Sequence, residues 1–154
     1  MEYKHLVKDF IERTQKNLEL IETLKANDPN MEVYEVTQLI NSLLGIIVLP
    51  KEAQFTQIPT TPLADLKQQG WAIPPIIANH PKTPNLRELI RYMRHAVAHF
   101  NIEFITDGYN LTGVKLWNVD PRTRPGIKDW EVCLSLVELR DLTKRLSAIL
   151  KQTS

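Results

Sequence analysis

Proline is concentrated in one segment of the chain, and this limits the fold more than any other feature of the sequence. Seven of the ten prolines lie between Pro50 and Pro84. Each proline fixes φ and removes a backbone donor, so long helices and central strands are excluded there. The segment also carries apolar residues that a free linker would lack, namely Trp71, Ile73, Ile76 and Ile77. We predict an ordered connection that buries these side chains, with a short helix from Ala64 to Gln69.

Two long helices are predicted before this Pro-rich segment. Apolar residues recur near helical spacing from Tyr3 to Lys25 and again from Met31 to Leu49. The last turns of the second helix, from Leu43 to Leu49, are apolar on all sides. Such a helix end lies either in the centre of the core or under a partner subunit.

Two further helices and a small sheet are predicted after the segment. Asn85 can cap a helix that runs to about Phe100, and a Ser135/Glu138 capping box begins a final helix from Leu136 to Lys151. Between these helices the apolar spacing changes to that of short strands, at Ile102–Thr106, Val114–Trp117 and Trp130–Cys133. The predicted fold is mainly α: one domain of residues 1–154, a helical bundle with a small antiparallel β element between the last two long helices.

The composition excludes several kinds of protein. The formal net charge is only +1, so contact with a nucleic acid would require a local basic patch. Cys133 is the one cysteine, which excludes an internal disulfide or a CxxC site and is typical of a small core residue. No apolar run reaches the length of a membrane span or a signal peptide, so we expect a cytoplasmic protein with no membrane partner.

The helix from Asn85 to Phe100 is strongly two-faced. Its apolar arc holds Leu86, Leu89, Ile90, Met93, Ala96, Val97 and Phe100. The opposite side holds Arg87, Glu88, Arg91, Arg94, His95 and His99. A solvated face usually carries Glu and Lys, whereas Arg binds phosphate through a planar fork and His transfers protons near neutral pH. An ordinary solvated face remains the simple alternative.

Other candidate sites are weaker. His95 and His99 have the i, i+4 spacing of two metal ligands, but no glutamate lies between them and no third ligand follows, so we expect no metal. His5 and His80 lie in a terminal turn and in the Pro-rich segment, where nothing in the sequence converges on them.

The segment from Arg94 to His99, with the sequence RHAVAH, resembles the R-x4-H signature of HEPN domains, which usually places a polar residue directly after the arginine. The motif also lies at the C-terminal end of a late helix preceded by two long helices. HEPN proteins are small helical bundles, commonly dimeric, and many are metal-independent ribonucleases of toxin–antitoxin, CRISPR-associated and anti-phage systems. The resemblance implies Arg94 and His99 as the catalytic pair and His95 as a supporting polar residue.

One departure concerns regulation. Some HEPN toxins carry a tyrosine two residues after the motif histidine, where a partner nucleotidyltransferase modifies them. This chain has Asn101 at that position. Silencing by that modification is therefore not expected here.

The expected function is an endoribonuclease with no cofactor, acting as a homodimer in the role of a toxin or anti-phage defence effector, with an antitoxin or other neutralising protein as a candidate partner. It would cleave RNA by attack of the 2′-hydroxyl, because imidazoles and a guanidinium supply proton transfer and charge without a metal. The expected RNA-binding residues are Arg91, Arg87, Arg122 and Arg124, although a solvated turn explains the last two equally well. The alternative is a non-catalytic HEPN-like module that binds RNA or protein, or braces a dimer.

Overall fold

A computed structural model of the chain describes residues 6–50, 52–78, 83–123 and 125–152. They form six helices and four strands: α1 (Leu6–Asn27), α2 (Glu35–Val48), α3 (Glu52–Phe55), α4 (Leu63–Gln68), β1 (Ile76–Ala78), α5 (Leu86–Ala98), β2 (Ile102–Thr106), β3 (Leu111–Val119), β4 (Lys128–Ser135) and α6 (Leu136–Gln152). Most residues in regular structure are helical. The protein is therefore mainly α, as the sequence predicts.

Helix α2 lies at the centre of the packing. It contacts α1, α5, α6 and β3, and Leu39, Leu43, Ile46 and Ile47 on it are buried. At Gly45 an added Cβ would lie 3.1 Å from the ring of Phe10, so α1 and α2 approach closely there. The apolar end of α2 thus lies mainly within the core of a single chain, which is the first of the two alternatives.

The four strands form one antiparallel sheet in the order β1-β4-β3-β2. Its inner face is buried toward the helices and carries Val114, Leu116, Trp130, Val132 and Leu134. Cys133, predicted as a core residue, is only half-buried because it pairs with Lys115 on the outer face. A two-residue period places alternate side chains on opposite faces, so the burial of Trp130 and Val132 determines this outward position.

The Pro-rich segment is more regular than predicted. The short helix appears as α4, but α3 and β1 were both missed. The sheet therefore includes a strand that precedes α5, and the β element is not confined to the stretch between α5 and α6. Pro74 and Pro75 directly precede β1, which is an edge strand, where a missing N–H breaks no ladder.

The burial predictions for this segment are correct in part. Ile73 is buried, and Trp71 and Ile76 are half-buried against the core. Ile77 is 65% exposed, contrary to prediction. The reason is alternation, because Ile76 and Ala78 occupy the inner face of β1 and turn Ile77 outward.

The bounds of the first two helices differ from the prediction. Helix α1 extends to Asn27, and the predicted start at Tyr3 lies outside the described residues. Helix α2 begins at Glu35 rather than at Met31. The backbone between the helices is held in tight turns, since the Met31 N–H donates to the Asp28 carbonyl and the Val33 N–H donates to the Met31 carbonyl.

Candidate functional site

The face that α5 buries determines which side chains it exposes. Leu86, Leu89, Ile90, Met93 and Ala96 are buried, and the helix contacts α2 and β3. The start of α5 is capped as predicted, because the Asn85 side chain accepts a hydrogen bond of 3.0 Å from the Glu88 N–H. The predicted two-faced helix is therefore confirmed as far as Ala98, where α5 ends. Phe100, predicted in the apolar arc, is instead 87% exposed, because its positive φ lies beyond the end of the helix.

Two contacts with the sheet fix the rotation of α5. The ring of Tyr92 stacks on Trp130, with 5.6 Å between centroids and 25° between planes. Asn118 Nδ2 donates a hydrogen bond of 3.1 Å to the Tyr92 carbonyl. These contacts hold one side of the helix on the inner face of the sheet, so the arginine and histidine side faces away from it.

The motif histidine lies at the end of α5. His99 is the C-cap residue, and its N–H donates to the His95 carbonyl at 3.1 Å. Phe100 then adopts φ 57°, and the Asn101 N–H donates to the Ala96 carbonyl at 2.9 Å. A residue with positive φ directly after the cap is a common way to end a helix, although glycine is the usual choice. The termination therefore presents His99 at the exposed edge of the last turn.

The two histidine rings form a pair on this exposed side. Their centroids are 4.3 Å apart and their planes make an angle of 57°. Both side chains are exposed to solvent. The one-turn spacing in the sequence thus produces two adjacent, accessible imidazoles, neither of which is taken up by the core.

An open cleft of about 370 Å³ lies beside this pair. It is lined by Phe55, Arg91, Arg94, His95 and Ala98. His95 belongs both to the cleft and to the imidazole pair, so it connects Arg94 with His99. Ala98 has no long side chain, which leaves the backbone of the last turn of α5 open to a ligand.

Phe55 is the member of the cleft that the sequence prediction missed. It lies in α3 and is 2% exposed, and the Cζ atoms of Arg91 and Arg94 each lie 5.6 Å from its ring centroid. The sequence signal for Phe55 is an aromatic residue within a Pro-rich segment. This predicts that the ring is buried, but it does not indicate which residues the ring contacts. Its contact with α5 joins residues too distant in sequence for periodicity to detect.

The predicted RNA-binding arginines have different surroundings. Arg91 lines the cleft and donates to Glu88 at 2.9 Å. Arg87 donates to the carbonyls of Thr56 and Ile58 in the Pro-rich segment. Arg122 lies in the β3–β4 loop, where it forms a two-pronged ion pair with Asp120 at 2.8 and 2.7 Å. Arg124 lies outside the described residues. Of the three that the structure describes, Arg91 alone therefore lies beside Arg94 in the cleft.

The described ranges contain neither a cluster of metal ligands nor a membrane-spanning helix. There, no group of three or more His, Cys, Asp or Glu side chains could hold a metal ion. His5 and His80 lie outside these ranges. None of the helices within them is long and apolar enough to cross a membrane.

The chain matches a known protein family over its whole length. The family model described as HEPN pEK499 p136 matches residues 1–154, the whole chain. Neither a curated protein nor a solved structure gives a significant match.

Proposed function

We propose that this chain, which belongs to the HEPN pEK499 p136 family, is a metal-independent endoribonuclease that cleaves RNA by attack of the substrate's own 2′-hydroxyl. Membership of the family supports a nuclease or toxin-like module in general. We further propose that α1, α2, α5 and α6 are the helices of the HEPN bundle. The sheet and the Pro-rich segment would then be additions that shape the site.

The observation that carries the proposal is the position of the imidazole pair. His95 and His99 are exposed, 4.3 Å apart between ring centroids, beside a cleft that Arg94 lines. A structural role in the core would have these side chains buried and hydrogen-bonded to core carbonyls. Exposed neighbouring acid–base groups next to a guanidinium are instead suited to a reaction at a phosphate.

The chemistry requires a base, an acid and a positive charge beside the phosphate. A base removes the proton from the 2′-hydroxyl, the resulting oxygen attacks phosphorus, and an acid gives a proton to the departing 5′-oxygen. The products are a 2′,3′-cyclic phosphate and a 5′-hydroxyl end. His99 would transfer a proton, Arg94 would stabilise the extra negative charge on the phosphate, and His95 would orient the group or share the proton transfer.

A homodimer would complete this set. One chain supplies one motif, and a two-fold axis that brings two α5 helices face to face would provide the base and the acid from opposite subunits. Phe100, 87% exposed, and Phe104, 53% exposed, add apolar surface near the end of α5. Large exposed aromatic side chains of this kind are typical of contact surfaces.

The non-catalytic alternative is supported by one observation. The cleft beside Arg94 is lined by His95 but not by His99. In that alternative the cleft binds RNA or a protein through its arginines, and His99 has no part in chemistry. Cleavage assays distinguish the two, because binding without cleavage is expected only from the alternative.

The deciding experiment is incubation of the purified protein with mixed RNA in a chelator, followed by analysis of the new ends. We expect 2′,3′-cyclic phosphates. Arg94→Ala and His99→Ala should abolish cleavage while the circular dichroism spectrum and melting temperature remain close to wild type. Arg140→Ala, at an arginine paired with Glu22 on another side of the molecule, is the matched control and should stay active. Full activity in both motif variants would reject the assignment.

A role as a toxin or defence effector is proposed as well. Expression of the wild-type chain should arrest growth, and Arg94→Ala should relieve the arrest. A neutralising partner protein would bind the same exposed stripe of α5, since covering it blocks access to RNA. If the wild type and Arg94→Ala impair growth equally, the proposed toxicity does not arise from RNA cleavage.

A further inference from the structure

We infer that Phe55 is a positioning residue for the proposed cleavage: its ring supports the Arg94 guanidinium, and Arg87 holds the ring in place. The inference rests on the proposed function of Arg94. It gives the Pro-rich segment a part in the reaction through the position of Arg94.

Arg94 has an unusual set of contacts. Within the described part of the chain it has no hydrogen-bond or ion-pair partner, and its guanidinium lies over the ring of Phe55, 5.6 Å from Cζ to the centroid. Arg91 differs, because it also forms an ion pair with Glu88. The five N–H donors of Arg94 therefore remain available to a phosphate. A guanidinium without polar partners would otherwise sample many rotamers, so the ring is the feature that restricts it.

The ring is suited to this task. Phe55 is 2% exposed, so packing restricts its motion, and the face of a phenyl ring attracts a cation through its quadrupole. Two guanidiniums, those of Arg91 and Arg94, lie at the same distance from its centroid. The ring offsets part of the repulsion between these two like charges without using any of their donors. A carboxylate in this position would occupy the donors that a phosphate needs.

Arg87 holds the backbone directly after Phe55. Its Nε donates to the Ile58 carbonyl at 2.7 Å, and its Nη2 donates to the Thr56 carbonyl at 2.5 Å. The Ile58 N–H closes the turn by donating to the Phe55 carbonyl at 3.1 Å. Arg87, Arg91 and Arg94 share one side of α5, so one arginine binds the backbone of the segment while the other two lie over its ring.

Backbone hydrogen bonds also hold the Pro-rich segment against the start of α5. The Leu86 N–H donates to the Thr61 carbonyl at 3.1 Å, and the Arg87 N–H donates to the Pro59 carbonyl at 3.2 Å. These bonds satisfy two of the donors that are left free at the start of a helix. The segment is thus aligned along α5 from its first turn to the level of Arg94.

The inference predicts a change in kcat rather than in KM. Loss of the ring leaves the charge of Arg94 in the cleft but lets the guanidinium leave the position where transition-state charge develops. An interaction that acts in the transition state lowers kcat and kcat/KM equally when it is removed. We expect Phe55→Leu to lower kcat about tenfold with KM nearly unchanged, because small misplacements of a catalytic group have large effects. Phe55→Tyr, which keeps the ring, should retain most of the activity.

A matched control is present elsewhere in the molecule. Arg145 Cζ lies 4.9 Å from the ring centroid of Trp71, away from the cleft. Trp71→Leu removes the same type of contact and should leave kcat unchanged. If Phe55→Leu proves unstable in thermal melting, Arg87→Gln provides a second test, since it removes the clamp and keeps the ring. It should lower kcat in the same direction.

The closing experiment measures the Arg94 side chain directly in the full chain. ¹⁵N relaxation of its Nε–Hε group should give a high order parameter in the wild type and a clearly lower one in Phe55→Leu and Arg87→Gln, but not in Trp71→Leu. An Arg94 order parameter that stays at the wild-type value in both variants overturns the inference, as does an unchanged kcat in both. A wild type that cleaves no RNA rejects the proposed function instead, and the order parameter then still decides whether Phe55 positions Arg94.

Discussion

The imidazole rings of His95 and His99 lie 4.3 Å apart between centroids on the exposed side of α5. Only His95 also lines the cleft with Arg94. The motif therefore has two distinct histidine positions, one beside the guanidinium and one at the helix end. This difference leads to separate expectations for the two residues.

Substitution of the two histidines should have unequal effects. His99→Asn should lower single-turnover RNA cleavage about 10²- to 10⁴-fold, because it removes a proton-transfer group. His95→Asn keeps a polar side chain at a supporting position and should lower it only about tenfold. Rates measured with a labelled RNA at saturating protein compare the two. A larger loss in His95→Asn than in His99→Asn would exchange the roles assigned to them.

Phe100→Gly should stabilise the protein. Phe100 has φ 57°, which costs an L-residue about 1 kcal/mol relative to glycine. In the single chain its side chain is 87% exposed, so little buried area is lost when the protein is measured at concentrations where it is monomeric. The free energy of unfolding from urea titration should rise by about 1 kcal/mol.

Gly70→Ala is the converse control for that prediction. Gly70 has φ 82°, so an alanine there should lower the free energy of unfolding by about 1 kcal/mol. If Phe100→Gly lowered the free energy of unfolding, relief of the positive φ would be smaller than the cost of the extra freedom that glycine gives the unfolded chain, and the prediction would be wrong.

Removal of the α5 cap should weaken the helix that carries the site. Asn85→Ala deletes the acceptor for the Glu88 N–H, and the loss of such a cap costs about 1 kcal/mol. Asn85→Asp keeps the acceptor and should remain close to wild type. Urea midpoints of the three proteins measure the effect. Equal midpoints for the alanine variant and the wild type would show that the cap contributes nothing.

Acid should remove a contribution that the β2–β3 turn makes to the stability of the folded state. Hydrogen bonds from the backbone N–H groups of Asn110 and Tyr109 lower the pKa of Asp107 below its ordinary value of 3.8. A carboxylate with a lowered pKa in the folded state stabilises the protein above that ordinary value, and the contribution is lost as the pH falls through the folded pKa.

The Asp107→Asn variant isolates this charge, because an amide oxygen can still accept both hydrogen bonds. Its urea midpoint should lie below that of the wild type near neutral pH, and the difference should shrink as the pH falls through the folded pKa. A difference that does not vary with pH would assign the effect to something other than the charge of Asp107.

Local patterns predict the parts of the fold that depend on neighbouring residues. The cap at Asn85, the two-faced α5 and the Ser135/Glu138 box all follow from residues within a few positions of one another. The contact of Phe55 with Arg94 and the pairing of Ile76 with Val132 do not. These depend on tertiary packing of distant segments, on which helical and strand periodicities carry no information.

The same limit applies to single side chains. Periodicity places Arg87 on the polar side of α5, and the sequence suggests a role in RNA binding. The structure shows its donors on the carbonyls of Thr56 and Ile58. The hydrogen-bond partner of a surface arginine depends on the segment that packs beside its helix. Helical periodicity describes the helix alone and carries no information about that segment.

The pairing of β1 with β4 has a consequence for the order in which the Pro-rich segment is bound during synthesis. The Pro-rich segment is fastened at one end by Arg87 and at the other by β4, which leaves the ribosome long after it. Domains emerge from the N-terminus onward, and distant pairings close late. In a nascent chain the contacts of this segment with α5 can therefore form before its far end, at β1, has a strand to pair with.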